Sequence, residues 1–379
     1  MMAVTGLIEI MTSKYFVSRI LALFTLGNMC QCANILYLST VPSPSHNIWD
    51  KTLAMGLAGR NHKITYFTHS PEKPTENFTP IFVEGMYERL AQKFDYIEWV
   101  DYSTITNIKE CFGFVNMTCV FDLESKALQT LLAQAKNGVK YDLIIIDQNA
   151  GHCLYPLIDM FGSPPVIGTS PFGLAQYYTF AYGINLNIAY NPILLQPLTD
   201  KMSLWERANN FFYTMVYLYL RQYDHMPAQQ KLAEEFFGKD IRPLHEVEKT
   251  FSLLLTNTDP MVARKLGVQL DYKNITSKSV LSAINEVRDN EVYKKNAQAI
   301  SRYYRDKPQD ALETAIFWVE YVLRHGGAEH LSIAARDMPF YQLLLLDILA
   351  IVTLTVLLVI FLVKQVIKSV KRKQKVKKH

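Results

Sequence analysis

Cysteine is scarce, at five in 379 residues, which excludes a small disulfide-stapled fold. Charge is thin as well: 20% of residues are charged and 49% apolar. That balance excludes a largely disordered, collagen-like or low-complexity chain. No Gly-x-Ser-x-Gly string occurs, so the exposed serine nucleophile of a sheet-based hydrolase has no place to stand. Residues 364–379 hold no acid but eight Lys or Arg. Without them 31 basic residues face 35 acidic ones, so the basic balance belongs to a tail. The body offers no electrostatic footprint for nucleic acid. What remains is a packed chain with length for two or three domains.

Long apolar runs are present at both ends. Residues 343–363 carry a single charge, Asp347, and are flanked by Tyr341 and Lys364. A helix of about 20 apolar residues crosses the ~30 Å hydrocarbon layer, so this run is expected to span a membrane, with 364–379 as a basic cytosolic tail. At the other end, Lys14 and Arg19 precede an apolar stretch over 20–29, followed by Cys30-Gln31-Cys32 and Ala33. This is the layout of a cleaved signal peptide over 1–32, with Met11 as an alternative start. Together they predict a single-pass type I protein with a lumenal body. Lys375 and Lys377, fifth and third from the end, resemble a dilysine retrieval signal of endoplasmic-reticulum membrane proteins; the plainer reading is a stop-transfer flank. Asn77, Asn116 and Asn274 each open an Asn-x-Thr sequon, usable only in a lumen. The pairing of Cys111, Cys119 and Cys153 is open, with Cys111–Cys119 as one option.

The body alternates strand and helix. Asn34-Ile35-Leu36-Tyr37-Leu38 is a short apolar run closed by Pro42 and Pro44, as a buried parallel strand reads. A helix over 47–57 and a strand over 63–68 follow, completing a βαβ unit. A helix over 123–135, a central strand at Tyr141-Asp142-Leu143-Ile144-Ile145-Ile146, and strands at 165–168 and 251–255 complete an open α/β sheet. The aromatic stretch 203–223 reads as a helix walling a pocket or covering the sheet, with a helix lying on a membrane leaflet as the other reading. Ligands of such sheets sit at the carboxyl ends of the strands. His46 follows the first strand there and Asp147 ends the central one. A histidine held by a carboxylate makes a general base, while an aspartate in that position is also a common helix cap.

Several strings resemble one family. Ser43-Pro44-Ser45-His46, Gly59-Arg60-Asn61-His62-Lys63-Ile64-Thr65, Tyr141 through Asp147, and Phe251-Ser252-Leu253-Leu254-Leu255-Thr256-Asn257 are similar to the animal UDP-glycosyltransferases. So are Gly267-Val268-Gln269-Leu270-Asp271, Arg305-Asp306-Lys307-Pro308 and Trp318-Val319-Glu320-Tyr321. The look is closest to the insect membrane-bound branch. The resemblance implies a GT-B fold, with an acceptor-binding Rossmann-like domain over 33–260 and a donor domain after it. It implies that His46 deprotonates a small lipophilic acceptor with Asp147 as partner. Direct inverting transfer of a hexose, glucose by the insect likeness, would follow from UDP-sugar as co-substrate, with no metal or other cofactor.

The resemblance breaks after Asn257. Thr258-Asp259-Pro260 runs straight into Met261-Val262-Ala263-Arg264, where the family carries its UDP-sugar signature. The 261–340 segment reads as mostly helical, over 277–287, 290–304 and 309–323, with apolar faces such as Ile300, Tyr304, Phe317 and Tyr321. Gly326-Gly327 falls in the helical stretch before the span. A Rossmann-type half needs several parallel strands, so 261–340 is expected to be a truncated remnant of the donor domain. Two readings follow: a family enzyme, or a catalytically inactive truncated form that binds acceptors or associates, as homo- or hetero-oligomer, with full-length relatives.

Overall fold

The computed structural model describes residues 32–93, 101–173, 175–184, 188–257, 275–332, 336–343 and 346–376. The expected leader up to residue 31, the Pro260–Met261 join, the strand expected over 267–270, Asn274 and Lys377 lie outside them. Six strands, β1 (Asn34–Leu38), β2 (Lys63–Thr68), β3 (Phe78–Phe82), β4 (Leu143–Asp147), β5 (Val166–Ser170) and β6 (Leu253–Thr256), form one sheet in the order β3-β2-β1-β4-β5-β6. Every pairing is parallel. Chain order reverses between β1 and β4, which creates a crevice beyond their carboxyl ends.

Strand alternation sends side chains to two cores. Leu36, Leu38, Ile144 and Ile146 enter one, and Ile35, Tyr37, Leu143 and Ile145 the other. Burial on both faces explains why β1 and β4 read as unbroken apolar runs. β3 left no such mark, because it is an edge strand and contains Pro80, opposite Tyr66. An edge tolerates the missing N–H.

Helix α1 (Pro44–Gly59) joins β1 to β2 and begins earlier than its apolar residues suggest, with proline at its first turn. After β3 come α2 (Met86–Lys93), α3 (Thr104–Glu124) and α4 (Lys126–Lys136). The helix expected over 123–135 is thus the end of one helix and most of another. Ser125 divides them, its Oγ accepting from the Leu128 N–H at 3.0 Å as an N-cap. Past β4 lie a short turn at His152–Leu154, α5 (Pro156–Met160) and, after β5, α6 (Tyr178–Tyr182). Next come α7 (Leu204–Leu220), a π-turn over Arg221–His225, α8 (Met226–Phe237) and α9 (Leu244–Glu248).

Among the described residues no strand follows β6. Helices α10 (Ser277–Asp289), α11 (Glu291–Arg305) and α12 (Ala311–His325) do. Of these, α12 packs on the sheet: Ile316, Val319 and Val322 are buried with Leu53, Ala54 and Leu57 of α1. The helices touch closely at Gly56, where a Cβ would meet Ile316 Cδ1 at 3.0 Å. The far face of α12 leaves Phe317 exposed, as Tyr304 is on α11. Gly326, in the left-handed region at φ 63°, ends α12. Short α13 (Phe340–Leu343) and long α14 (Leu346–Val376) follow. The apolar part of α14 runs over Leu346–Lys368, 23 residues with no buried position. At 1.5 Å per residue it is long enough to cross a bilayer.

Candidate active site

His46 and Asp147 meet at the reversal of strand order. The first turn of α1 carries His46 back over the end of β1, and β4 ends on Asp147. Their Nδ1 and Oδ2 atoms are 2.6 Å apart, with both side chains buried. A carboxylate only accepts, so Nδ1 donates in this bond, and in a neutral ring Nε2 is left as the acceptor. The other oxygen, Oδ1, accepts from the Asn149 backbone N–H at 3.0 Å and from Asn149 Nδ2 at 2.7 Å. Tyr177 Oη donates in turn to Asn149 Oδ1 at 2.8 Å. Phe172 stands edge-on to the imidazole, centroids 5.0 Å apart. Nitrogen, carboxylate and ring plane are thereby fixed together.

The imidazole lines a cavity of about 510 Å³, within the range of small-molecule sites. Its walls are largely apolar: Val41, Phe112, Phe114, Val115, Ile193 and Tyr217. Helix α7 supplies Tyr217, so the 203–223 stretch walls the pocket as its first reading held; on its outer side Trp205 is 82% exposed. Phe172 also borders a second cleft of about 880 Å³, which reaches Trp49 on α1 and Trp318 on α12. Two glycines allow this packing. Gly151 adopts φ 73°, and a Cβ there would lie 2.4 Å from Thr40 Cγ2; at Gly168 it would lie 2.2 Å from Tyr182 Oη.

Several polar residues were missed from the sequence. Asp50, one turn after His46 on α1, is fully buried and accepts from Tyr37 Oη at 2.8 Å and Ser39 Oγ at 2.7 Å. Burial, and then the charge of Asp147, push its carboxyl well above the ordinary range. A second buried pair, His69 Nε2 and Asp122 Oδ1 at 2.7 Å, ties the end of β2 to α3 and does not line the cavity. His152, Arg221 and His225 also line the cavity. Arg221 pairs with Glu248 at 2.5 Å, both buried. Burial, and then Arg221, lower His152 to about 3; burial, His152 and Arg221 push His225 well down. Tyr217, Arg221 and His225 form a stripe on α7 and its π-turn, a four-residue spacing that only the tertiary setting makes meaningful.

The remaining expected sites lie elsewhere. Asn77 is half-buried before β3, its Nδ2 donating to Ala58 O at 3.4 Å. Asn116 is mid-helix on α3, with Oδ1 accepting from Gln229 Nε2 at 2.6 Å. Lys375 falls in the last turn of α14. The Cys111–Cys119 option is corrected: the disulfide joins Cys119 to Cys153, and Cys111 is free. Eight residues along one helix put Cys111 and Cys119 about 12 Å apart, beyond disulfide reach. The observed bridge anchors the turn that carries His152.

Comparison with known proteins places residues 250–379 under the family model for UDP-glucoronosyl and UDP-glucosyl transferase. "UDP-glycosyltransferase UGT5" of Dactylopius coccus is 42% identical over 108 residues, 28% of this chain and 20% of that protein. "UDP-glucuronosyltransferase 2C1" of Oryctolagus cuniculus is 39% identical over 103 residues, 27% of this chain and 20% of that protein. "UDP-glucosyltransferase 2" of Dactylopius coccus is 36% identical over 108 residues, 28% of this chain and 21% of that protein. The chain therefore matches about a fifth of the length of these curated relatives. No solved structure matches the chain. The architecture fits a GT-B-like fold with a parallel-sheet first lobe and a truncated donor lobe.

Proposed function

We propose that this chain, a member of the membrane-bound animal UDP-glycosyltransferase family, holds a small lipophilic alcohol or phenol in the 510 Å³ cavity with its hydroxyl on His46. The observation that carries this reading is the His46–Asp147 contact at 2.6 Å on the wall of that cavity. His46 Nε2 takes the hydroxyl proton as the acceptor oxygen bonds to the sugar carbon and the bond to UDP breaks. Asp147 holds the tautomer and stabilises the imidazolium that forms, and Asn149 holds Asp147. The apolar walls exclude water from the reacting oxygen. Glucose is the proposed sugar, by likeness to the Dactylopius relatives; no metal enters the scheme.

A second reading has its own support. The described residues after β6 are helical, and the sequence around Pro260 and Met261 lacks the donor signature. In this reading the chain binds acceptors, or associates with full-length relatives, without transferring sugar. In either case α14 spans the endoplasmic-reticulum membrane, with the sheet domain in the lumen, Asn77, Asn116 and Asn274 as glycosylation candidates, and Lys375 and Lys377 as retrieval signal.

The test uses the full chain in detergent with UDP-glucose and naphthol. Transfer that falls by about 10²–10⁴-fold in His46→Ala supports the enzyme reading. Naphthol binding without transfer, and without thermal stabilisation by UDP, supports the binding reading. Failure to bind naphthol overturns both the enzyme reading and the acceptor-binding one.

A further inference from the structure

Helix α7 has two opposite faces. On the inner one Asn210, Thr214 and Leu218 are buried, and Tyr217 lines the acceptor cavity. The outer one carries Leu204, Trp205, Phe211, Phe212 and Tyr219, which are 47–82% exposed. At about 100° per residue these five positions share an arc of roughly 120°. Every residue of α7 on that arc is uncharged, Ala208 and Met215 included, while Glu206 and Arg207 fall outside it. Single exposed apolar side chains are ordinary, but a continuous uncharged stripe of this length marks a contact surface.

The helix is firmly held on the body, so the stripe is presented rigidly. Asn210 Oδ1 accepts from the Ile193 N–H at 2.7 Å, and its Nδ2 donates to Ile188 O at 2.8 Å and Asn191 O at 3.0 Å. Ser203 and Glu206 close a capping box at the helix start.

The rest of the chain says what lies against the stripe. The apolar run of α14 is long enough to span a bilayer, and α13 ends at Leu343, just before α14 begins at Leu346. The body is thereby tethered at a leaflet, where a weak surface contact gains from high effective concentration. Trp and Tyr gather at the headgroup level of membranes. A helix with such a stripe lies in the interface plane with its apolar side sunk about 5–10 Å. Here the opposite face is docked on the protein instead of facing water.

We propose that the outer stripe of α7 seats in the lumenal leaflet, as a second membrane contact beside α14. This placement rests on the reading of α14 as a span and extends it. One helix diameter, about 10–12 Å, then separates the acceptor cavity from the lipid in which small lipophilic compounds dissolve.

The test places one full chain in each phosphatidylcholine nanodisc, with lipid brominated in the upper acyl chain, since bromine quenches tryptophan only on contact. Trp205 is one of four tryptophans, so the wild type is expected to lose up to about a quarter of its emission through it. That share of the loss disappears in Trp205→Phe. Adding Phe212→Trp, two turns along the same stripe, brings it back. Both positions are exposed, so the fold is kept. Equal quenching in wild type and Trp205→Phe, with the chain retained in the disc, overturns the inference and leaves α14 as the span. Self-association in detergent that shields Trp205, with no bromine quenching in one-chain discs, assigns the face to a second copy and overturns it too. A chain that does not enter the disc overturns the span reading and this inference together.

Discussion

Asp50 and Asp147 are two buried carboxyls with different surroundings, one inside α1 and the other at the end of β4. Asp147 has His46 on one oxygen and the Asn149 amides on the other. Asp50 has only hydroxyl donors, and the charge of Asp147 bears on it. Burial and that charge favour the neutral acid at Asp50.

The pH dependence follows. A carboxyl raised above the ~3.9 of an unfolded aspartate adds stability that is full below that value and lost as pH rises toward the folded pKa. Asp50→Asn has no such titration. Relative to that variant, the wild type is expected to lose up to about 1.4 kcal/mol per pH unit upward from about pH 4. Denaturant melts of both chains at stepped pH check this; parallel profiles would contradict it.

The buried histidines His152 and His225 act in the other direction. His152 is held down to about 3, so the unfolded chain takes up a proton near pH 6.5 that the folded chain refuses until about 3. Stability is therefore complete above about 6.5 and falls with acid through that window, with His225 adding to the slope. His152→Gln is expected to flatten acid unfolding by up to about 1.4 kcal/mol per pH unit, read by circular dichroism. An unchanged slope would refute it.

Ile316 is 2% exposed between α12 and the sheet. Ile316→Ala is expected to cost about 2–5 kcal/mol and to lower the unfolding midpoint of the whole sheet domain. A small change confined to α12 would show that the helix is not part of that cooperative unit.

At Gly168 a methyl group would fall 2.2 Å from Tyr182 Oη and 2.3 Å from Gln148 Oε1, which bond each other at 2.6 Å. Gly168→Ala is expected to break that bond and cost about 1–3 kcal/mol, measured by urea titration. Neutral stability would refute the tight fit.

What could be read from residues alone was whatever local pattern controls. Ile144 and Ile146 announce a central strand because both sheet faces are covered, and His46 and Asp147 sit where strand ends must be. Ser125 was overlooked because an N-cap inside an apolar run interrupts no periodicity. β3 hides Pro80 at an edge. Asp50 looks like any polar helix residue until Tyr37 and Ser39 enclose it. His152, Arg221, His225 and Glu248 come from separate elements, and only the packing of α7, α8 and α9 on the β4 turn unites them. The cysteine pairing went astray for a related reason: nearness along the chain does not measure distance along a helix axis.

The docking of α12 on α1 has a further consequence. Leu53 and Leu57 are sealed from water by a helix drawn from more than two hundred residues downstream. The first lobe is thus not self-sufficient, and a product interrupted upstream of Ala311 would emerge with a greasy flank and a strong tendency to aggregate. However much of the second lobe a chain of this kind dispenses with, this one helix is the part it has to keep.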